Sequence, residues 1–422
     1  MVKQYGDRTE PGVVSTTESD LSVSIRGDAP ADPALVGPAD LDDGDADPGE
    51  VKVVTRPSQA RQFFGNEETS PLTGNIIDAM FEGASPVYAA AVDTNAENET
   101  VAAGEGILAE APLVEGETIV NGGAGEAVYA LGEPLPEAAD VGDEEVYLDP
   151  ATGDFVAGAS VTEIDYVWQD YENALREMSE DGSGEIIDML GVLTENVDVQ
   201  TEAQFRLGQM ANEYNFAVGF FPAETYIPSK IDYTPAFDNS RIQLIYPGRD
   251  EDGNHVIGAY VGLRASIGIR TTPIRRRLSS KRILAERLDR DERGALIDNF
   301  VVPIQSSMTG AQVMDDINTV NPVENAEEKN YRFAYTRLVL DYITKTIQIN
   351  EEGFIGRLNR PAIRNALQAA ITSSLQELKE NAQVIDFSVY VEAQDATTAD
   401  VEISLHLAQP MRYIENTITV GE

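Results

Sequence analysis

The hydrophobic period changes twice within the last ninety or so residues, Tyr331 to Glu422, and this limits what they can fold into. From Tyr331 to Gln348, Tyr335, Leu338, Val339, Tyr342, Ile343 and Thr346 follow the i, i+3, i+4, i+7 rhythm of an amphipathic helix. A second helix is expected from Arg360 to Asn381. Pro361 suits its first turn, where a missing N–H costs nothing. Ile363, Leu367, Ala370, Ile371 and Leu378 make one stripe, and Arg364, Gln368 and Lys379 face elsewhere. The period then drops to two. Phe387, Val389 and Val391 alternate with Ser388 and Tyr390, and Val401, Ile403, Leu405 and Leu407 alternate with Glu402, Ser404 and His406. Such alternation predicts strands with one buried face. A last strand-like segment carries Ile414, Ile418 and Val420 on one side. Helix, helix and a few strands make an α+β module whose sheet is small.

The whole chain, at 422 residues, is too long for one core, so several domains are expected. It has no Cys, which excludes disulfides and thiolate metal sites. No apolar run is long enough to span a bilayer, and Met1 to Val14 lacks the apolar centre of an export signal. Synthesis and folding in the cytoplasm are therefore expected. The charge is extreme: 73 acids against 30 bases give −43. Only 7 of those bases are Lys, and none lies between Gln62 and Leu175. A surface like this repels nucleic acid and anionic lipid. It reads either as an acidic interaction surface or as adaptation to high salt, where screening removes self-repulsion. The spread of the excess over most of the chain favours salt adaptation, and with it a halophile or its virus.

Four regions follow from composition and pattern. Residues 1–50, with 12 acids, 3 bases and a loose Asp, Ala, Pro and Gly run from Asp28 to Glu50, read as a flexible arm. Two apolar islands interrupt it, Val13–Thr17 and Leu21–Ile25, and Leu21, Val23 and Ile25 of the second alternate like a strand. Residues 51–92 and 166–330 read as an α/β core. Val51–Thr55 is strand-like, Pro57–Phe64 is a short helix closed by Gly65, and Ser70–Ala84 is a helix with Ile76, Ile77, Met80 and Phe81 expected inside. Val87–Val92, Phe216–Glu224 and Arg241–Arg249 look like buried strands, with a helix over Thr201–Asn215. Residues 93–165 hold 18 acids and no base, with Gly-rich alternating segments and a hairpin at Asp149–Phe155, and read as an inserted, peripheral β-domain. Residues 331–422 form the C-terminal α+β module.

The order and spacing of the C-terminal pieces resemble the end of contractile tail sheath proteins, found in contractile-tailed phages, pyocins and contractile injection systems. The likeness is carried by a helix after Asn330-Tyr331-Arg332-Phe333, the loop from Ile349 to Arg364, a long helix, and the strands Asp386–Ala393 and Asp400–Val420. Further likeness lies in Pro11-Gly12-Val13, in the strand, helix, Phe63-Phe64-Gly65, helix, strand order up to Val92, in Ile245-Tyr246-Pro247 before Gly258–Gly268, and in Asp289–Ile304. The resemblance covers roughly 51–92 and 171–422. It implies a mixed-sheet sheath core flanked by helices and a C-terminal module completed by strands of neighbouring subunits. It also implies a structural rather than enzymatic subunit, part of a virion tail put together in the host cytoplasm, that polymerises around an inner tube and contracts to drive it through an envelope.

On that resemblance Leu21, Val23 and Ile25 (or Val13–Thr17 instead) form one donated strand and Ile414, Ile418 and Val420 the other. Phe387, Val389, Val391, Val401, Ile403 and Leu405 receive them. The segment Asp28–Glu50 becomes a hinge. Arg357, Arg360 and Arg364 either grip acids on the inner tube or are ordinary surface Arg. The implied partners are further copies in stacked rings of six, the tube protein, the baseplate and a tail terminator, with neither nucleic acid nor membrane insertion. A surface adhesin or spike of a halophile is the rival reading, favoured by the β-rich insertion.

Candidate chemistry is thin. Asp43, Asp45, Asp47 and Glu50 have part of a calcium-loop spacing, but Pro48 stands where Gly is needed and the closing Glu comes early. Gly122–Ala127 lacks the Lys-Ser/Thr ending of a phosphate loop. His255 and His406 lack paired ligand spacing and read as surface or interface residues. Asn98-Glu99-Thr100 is a sequon at the head of the insertion. Carboxylate pairs are uninterpretable among so many acids. No cofactor or metal is expected. The basic run is more telling: 12 of the 30 bases fall between Arg241 and Arg293. Arg275, Arg276, Arg277 and Arg282 within it are expected to meet an acidic face of a neighbouring copy, since Arg pairs carboxylates bidentately.

Overall fold

Six parallel strands, each short and almost wholly apolar, make the centre of the molecule in the computed structural model. The structure describes residues 32–407 and 412, apart from 131–133, 180–186, 214, 225, 226, 228, 282, 308, 309, 322–330 and 381–383. These fall into two compact units. The larger lies within Pro30–Ser266 and Pro273–Asn321. The smaller comprises Ile267–Thr272 and the described residues of Pro322–Glu422.

In the larger unit the elements run β1 (Pro33–Gly37), β2 (Lys52–Val54), α1 (Pro57–Phe64), α2 (Pro71–Phe81), β3 (Val87–Ala91), β4 (Asp93–Thr100), β5 (Gly104–Ile107), β6 (Ile119–Val120), β7 (Glu126–Tyr129), β8 (Glu145–Leu148), β9 (Asp154–Ala157) and β10 (Glu163–Asp170). They continue with α3 (Glu172–Ser179), β11 (Met189–Val192), α4 (Val197–Asn212), β12 (Val218–Pro222), β13 (Ile242–Tyr246), α5 (Ile257–Ile267), β14 (Arg277–Leu278), α6 (Arg290–Asp298), β15 (Val301–Ser307) and β16 (Gly310–Val313). The main sheet has the order β14-β16-β15-β13-β12-β11-β1-β3-β2. From β15 to β3 neighbours are parallel, while β2, β16 and β14 add antiparallel edges. Strands covered on both faces need apolar residues throughout, and β1, β3, β11, β12 and β13 are buried along their whole length.

The first of these corrects the reading of residues 1–50 as an arm. β1 lies in mid-sheet between β3 and β11, pairing Leu35 with Ala89 and Gly191. The chain after it is also tied down. The Pro38 carbonyl accepts from Leu72 N, Asp45 N donates to Gln62 O, and Gly49 N donates to Ala91 O. Asp28–Glu50 is therefore not one hinge. A buried strand of five residues needs no alternation, and its short apolar core was outweighed by the Asp and Pro around it.

Helix α5 explains a second correction. It is buried on every side from Ile257 to Arg264, and its Gly258 and Gly262 lie against α2. A Cβ on Gly258 would stand 2.2 Å from the Asn75 carbonyl oxygen, and one on Gly262 2.4 Å from Ala79. Asn75 Oδ1 accepts from Gly258 N at 2.9 Å. Close backbone approach demands small residues on both helices, so α2 turns Thr73, Asn75, Ile76 and Ala79 inward. Phe81, expected inside, is 68% exposed, and Ile77 and Met80 are only half-buried.

Residues 93–170 form two small sheets, β4-β10-β6 and β5-β9-β8-β7. These enclose their own cluster, including Leu113, Val120, Leu148, Phe155, Ile164 and Tyr166. The turn between β8 and β9 closes with Gly153 at φ 79° and Asp149 Oδ1 accepting from Ala151 N.

The smaller unit consists of α7 (Ala334–Glu352), α8 (Pro361–Glu380), β17 (Asp386–Ala393) and β18 (Ala399–His406). Leu338, Val339 and Ile343 of α7, and Leu367, Ile371, Leu375 and Leu378 of α8, are buried, as the helical spacing requires. β17 and β18 form an antiparallel hairpin with Phe387 opposite Leu405, Val389 opposite Ile403 and Val391 opposite Val401.

Candidate assembly surface

The alternating apolar residues of β17 and β18 are not fully covered. Val389 is buried, but Phe387, Val391, Val401, Ile403 and Leu405 are only half-buried, although α8 packs on β17. Gln368 of α8 donates to the Val389 carbonyl at 2.8 Å, and Lys379 Nζ reaches Asp386 at 2.8 Å and lies over the Phe387 ring. Among the described residues neither outer edge of the hairpin carries a partner strand. Two strands alone are marginal in water, and each free edge offers a row of N–H and C=O groups to any extended segment. The expected donors, Leu21, Val23, Ile25, Ile414, Ile418 and Val420, lie outside the described residues.

The turn of the hairpin is fastened to the loop between the two helices. Asn359 Nδ2 donates to the carbonyls of Asp395 and Thr398, both at 3.0 Å, and Asn359 Oδ1 accepts from Arg364 at 2.7 Å. Backbone N–H groups of Thr397 and Thr398 hold the Asp395 carboxyl below its ordinary pKa. Arg357 stacks on the Phe354 ring at 4.7 Å, and Arg360 is exposed beside them. So Arg364 is committed within the loop, while Arg357 and Arg360 face outward. Ile355 and Leu358, which sequence reasoning passed over, are 46% and 65% exposed between them. Their signal was an apolar residue on either side of Arg357 in a loop otherwise polar.

A second surface lies at the edge of the main sheet. Arg275, Arg276 and Arg277 are all exposed. The turn that carries them is pinned: Arg275 N donates to Val313 O, Val313 N to Arg276 O, and Gln312 Nε2 to Arg275 O. Arg275 holds φ at 63°, uncommon for a residue with a Cβ. Arg282 lies outside the described residues.

Ligands of open parallel sheets bind beyond the strands' C-terminal ends, where the strand order reverses. Here that point lies between β1 and β11, and charged side chains fill the space beyond it. Glu195 accepts from Arg249 Nε and Nη2 at 2.8 and 3.0 Å. Burial would raise the Glu195 carboxyl, yet Arg249 holds it down at about 2. His255 Nδ1 stands 3.6 Å from Glu195, and burial lowers its pKa to about 4, so it is neutral at pH 7 and Arg249 alone supplies the compensating charge. The reading of His255 as a surface or interface residue is thus corrected: it is 6% exposed and lies inside its own chain. Lys281 bridges Asp250 and Asp78 at 2.8 and 2.9 Å. Asn196 Nδ2 donates to Ala151 O, so the inserted region caps the same corner. These groups are spent on one another, which is how a structural corner is built. His406 is exposed on β18. Among the described residues no group of three or more His or acidic side chains is placed to hold a metal ion, and no helix is long and apolar enough to cross a membrane.

No family model matches the chain, and no curated protein does. Solved structures do. The chain is similar to the anti-feeding prophage helical sheath in its contracted state, at 12% identity and TM-score 0.58 over 98% of this chain and 99% of that one. It is also similar to a chain of the six-fold symmetrised anti-feeding prophage baseplate, at 13% identity and TM-score 0.59 over 98% and 100%. The sheath tail protein of Listeria innocua matches at 12% identity and TM-score 0.54 over 91% and 97%. The α+β fold of this chain is that of contractile tail sheath proteins.

Proposed function

We propose that this chain is a non-enzymatic structural subunit of a contractile tail sheath, which polymerises around an inner tube and contracts to drive that tube through a cell envelope. The observation that carries the reading is the β17–β18 hairpin, half-covered on its apolar face and without a neighbour at either edge among the described residues. Likeness of fold over nearly the full length supports it. In this reading Leu21–Ile25 of one copy and Ile414–Val420 of another add to the hairpin of a third, which is β-augmentation repeated along a helix of subunits. Stacked rings, each of six copies, then make the sheath. Contraction trades a lattice with less inter-subunit contact for one with more and consumes no nucleotide.

The position of β1 sharpens the tether. If Leu21–Ile25 is the donated strand, only seven residues, 26–32, separate it from β1. They reach roughly 25 Å when extended. Were Val13–Thr17 donated instead, residues 18–32 would reach about twice as far. Arg357 and Arg360, flanked by Ile355 and Leu358, would face acids on the tube. The baseplate and a terminator would bound the sheath in a virion tail or an injection machine. The charge of −43 supports an origin in a halophile or its virus.

Negative-stain imaging of the purified protein in molar salt tests the reading. Extended hollow tubes are expected. A surface adhesin or spike, the rival reading, gives monomers or closed trimers and never tubes.

A further inference from the structure

Arg275, Arg276 and Arg277 are three exposed positive charges in a row, and among the described residues none has a carboxylate within 4 Å. In a chain with 73 acids that isolation needs a reason. The turn is not loose: β16 holds it from both sides through Val313 and Gln312, and Leu278 beside it is fully buried. Like charges fixed side by side repel unless something of opposite sign arrives.

The complementary feature is the ribbon of β4 and β10. All of β4 but Glu99 is exposed, and among the described residues its outer edge has no partner strand. The ribbon carries no base; Glu163 and Asp165 stand on one face beside Asn98, and Asp93, Glu97, Glu99 and Asp170 on the other. None of the six has a cation within 4 Å among the described residues. Glu163 and Asp165 are drawn together by one neutral donor, Asn98 Nδ2, which binds Glu163 Oε1 at 2.7 Å and also binds Asp165 Oδ1. A carboxylate pair joined only by an amide is a ready acceptor for a guanidinium, whose planar fork bonds two oxygens at once.

We infer that the Arg275–Arg277 turn of one copy docks on the acidic β4–β10 ribbon of a second copy. The inference rests on the self-assembly reading in that the partner is another copy of this chain. It adds a contact that does not involve the terminal strands. The ribbon is two strands wide and matches a three-residue turn in scale. A long polyanion would instead meet the chain's net charge of −43 and be repelled. Contacts at hydrogen-bond distance are as short as the screening length of about 3 Å at 1 M salt, and Arg rather than Lys suits the role because its planar fork bonds two oxygens at once.

Because the chain has no Cys, an engineered thiol is unique. The test mixes the Arg276→Cys protein with the Ala96→Cys protein, whose thiol stands on the same face as Glu163 and Asp165, under mild oxidation. Disulfide-linked heterodimer is expected in large excess over either homodimer, falling at least tenfold when Glu163 and Asp165 of the second protein are both changed to Lys. Circular dichroism melts check that each variant folds. Absence of heterodimer, or heterodimer indifferent to the Lys changes, overturns the inference. So does binding of duplex DNA by the wild type that the triple variant R275E/R276E/R277E loses, since the turn would then serve a polyanion. Wild-type tubes in the same samples with no cross-link sink this contact alone. Absence of wild-type tubes sinks the sheath reading, while a cross-link would still uphold the contact.

Discussion

Glu351 ties the stability of the smaller unit to pH. It sits near the C-terminal end of α7, 9% exposed, and burial pushes its carboxyl up to about 7. The negative end of the helix dipole opposes its charge as well. A raised carboxyl pKa means that the folded state keeps a proton the unfolded chain would release near 4.5. Its burial therefore costs nothing below about 4.5. The cost grows as pH rises from there to 7 and levels off at about 3 kcal/mol. Glu351→Gln should leave the melt unchanged at pH 4 and raise stability by about that amount at pH 8. Equal melts at pH 8 would contradict the assignment. Other single residues mark the limit of sequence reading. The periodicity of α2 pointed Phe81 inward, and only Gly258 and Gly262 of α5, more than 170 residues on, turn the helix the other way. The three-residue gap between two Gly in an apolar helix was the available signal. His255 gave none, because Glu195, the carboxylate 3.6 Å from it, lies far away in sequence.

Elements were legible where burial is one-sided. Alternation in β17 and β18 and the helical stripes of α7 and α8 are written in neighbouring residues, so spacing alone located them. β1 was not legible because its neighbours in space, β3 and β11, are far away in sequence and its own five residues sit among Asp and Pro. β4 was missed for the opposite reason: Asp-Thr-Asn-Ala-Glu-Asn-Glu-Thr buries almost nothing and is held as a strand by pairing with β10. The hairpin of the candidate site was legible, but Asn359, which fastens its turn, carries no pattern. At this scale the tether makes a prediction. Deletion of residues 1–27 leaves β1 intact at Pro33–Gly37, so the truncated protein should melt within a few degrees of the full chain yet form no tubes. Long tubes from the truncated protein would show that no arm strand is needed.

The whole molecule is governed by its charge of −43. Repulsion among exposed acids destabilises the compact state over distances of about 10 Å at 0.1 M salt, and over only about 3 Å at 1 M. The melting temperature should therefore climb steeply between 0.1 and 2 M KCl, and a flat response would remove the case for salt adaptation. Composition made this property plain, and it says nothing of fold. In the proposed assembly the deciding sheet is that of the smaller unit, which among the described residues has two strands where a stable sheet needs three or more. The most direct test is a cryo-EM map of tubes of this protein, traced well enough to assign each strand beside β17 and β18 to its chain. The account predicts a four-stranded sheet built from three copies, with the hairpin of one flanked by terminal strands of two others. A hairpin flanked by the ends of its own chain, or by nothing, would contradict it.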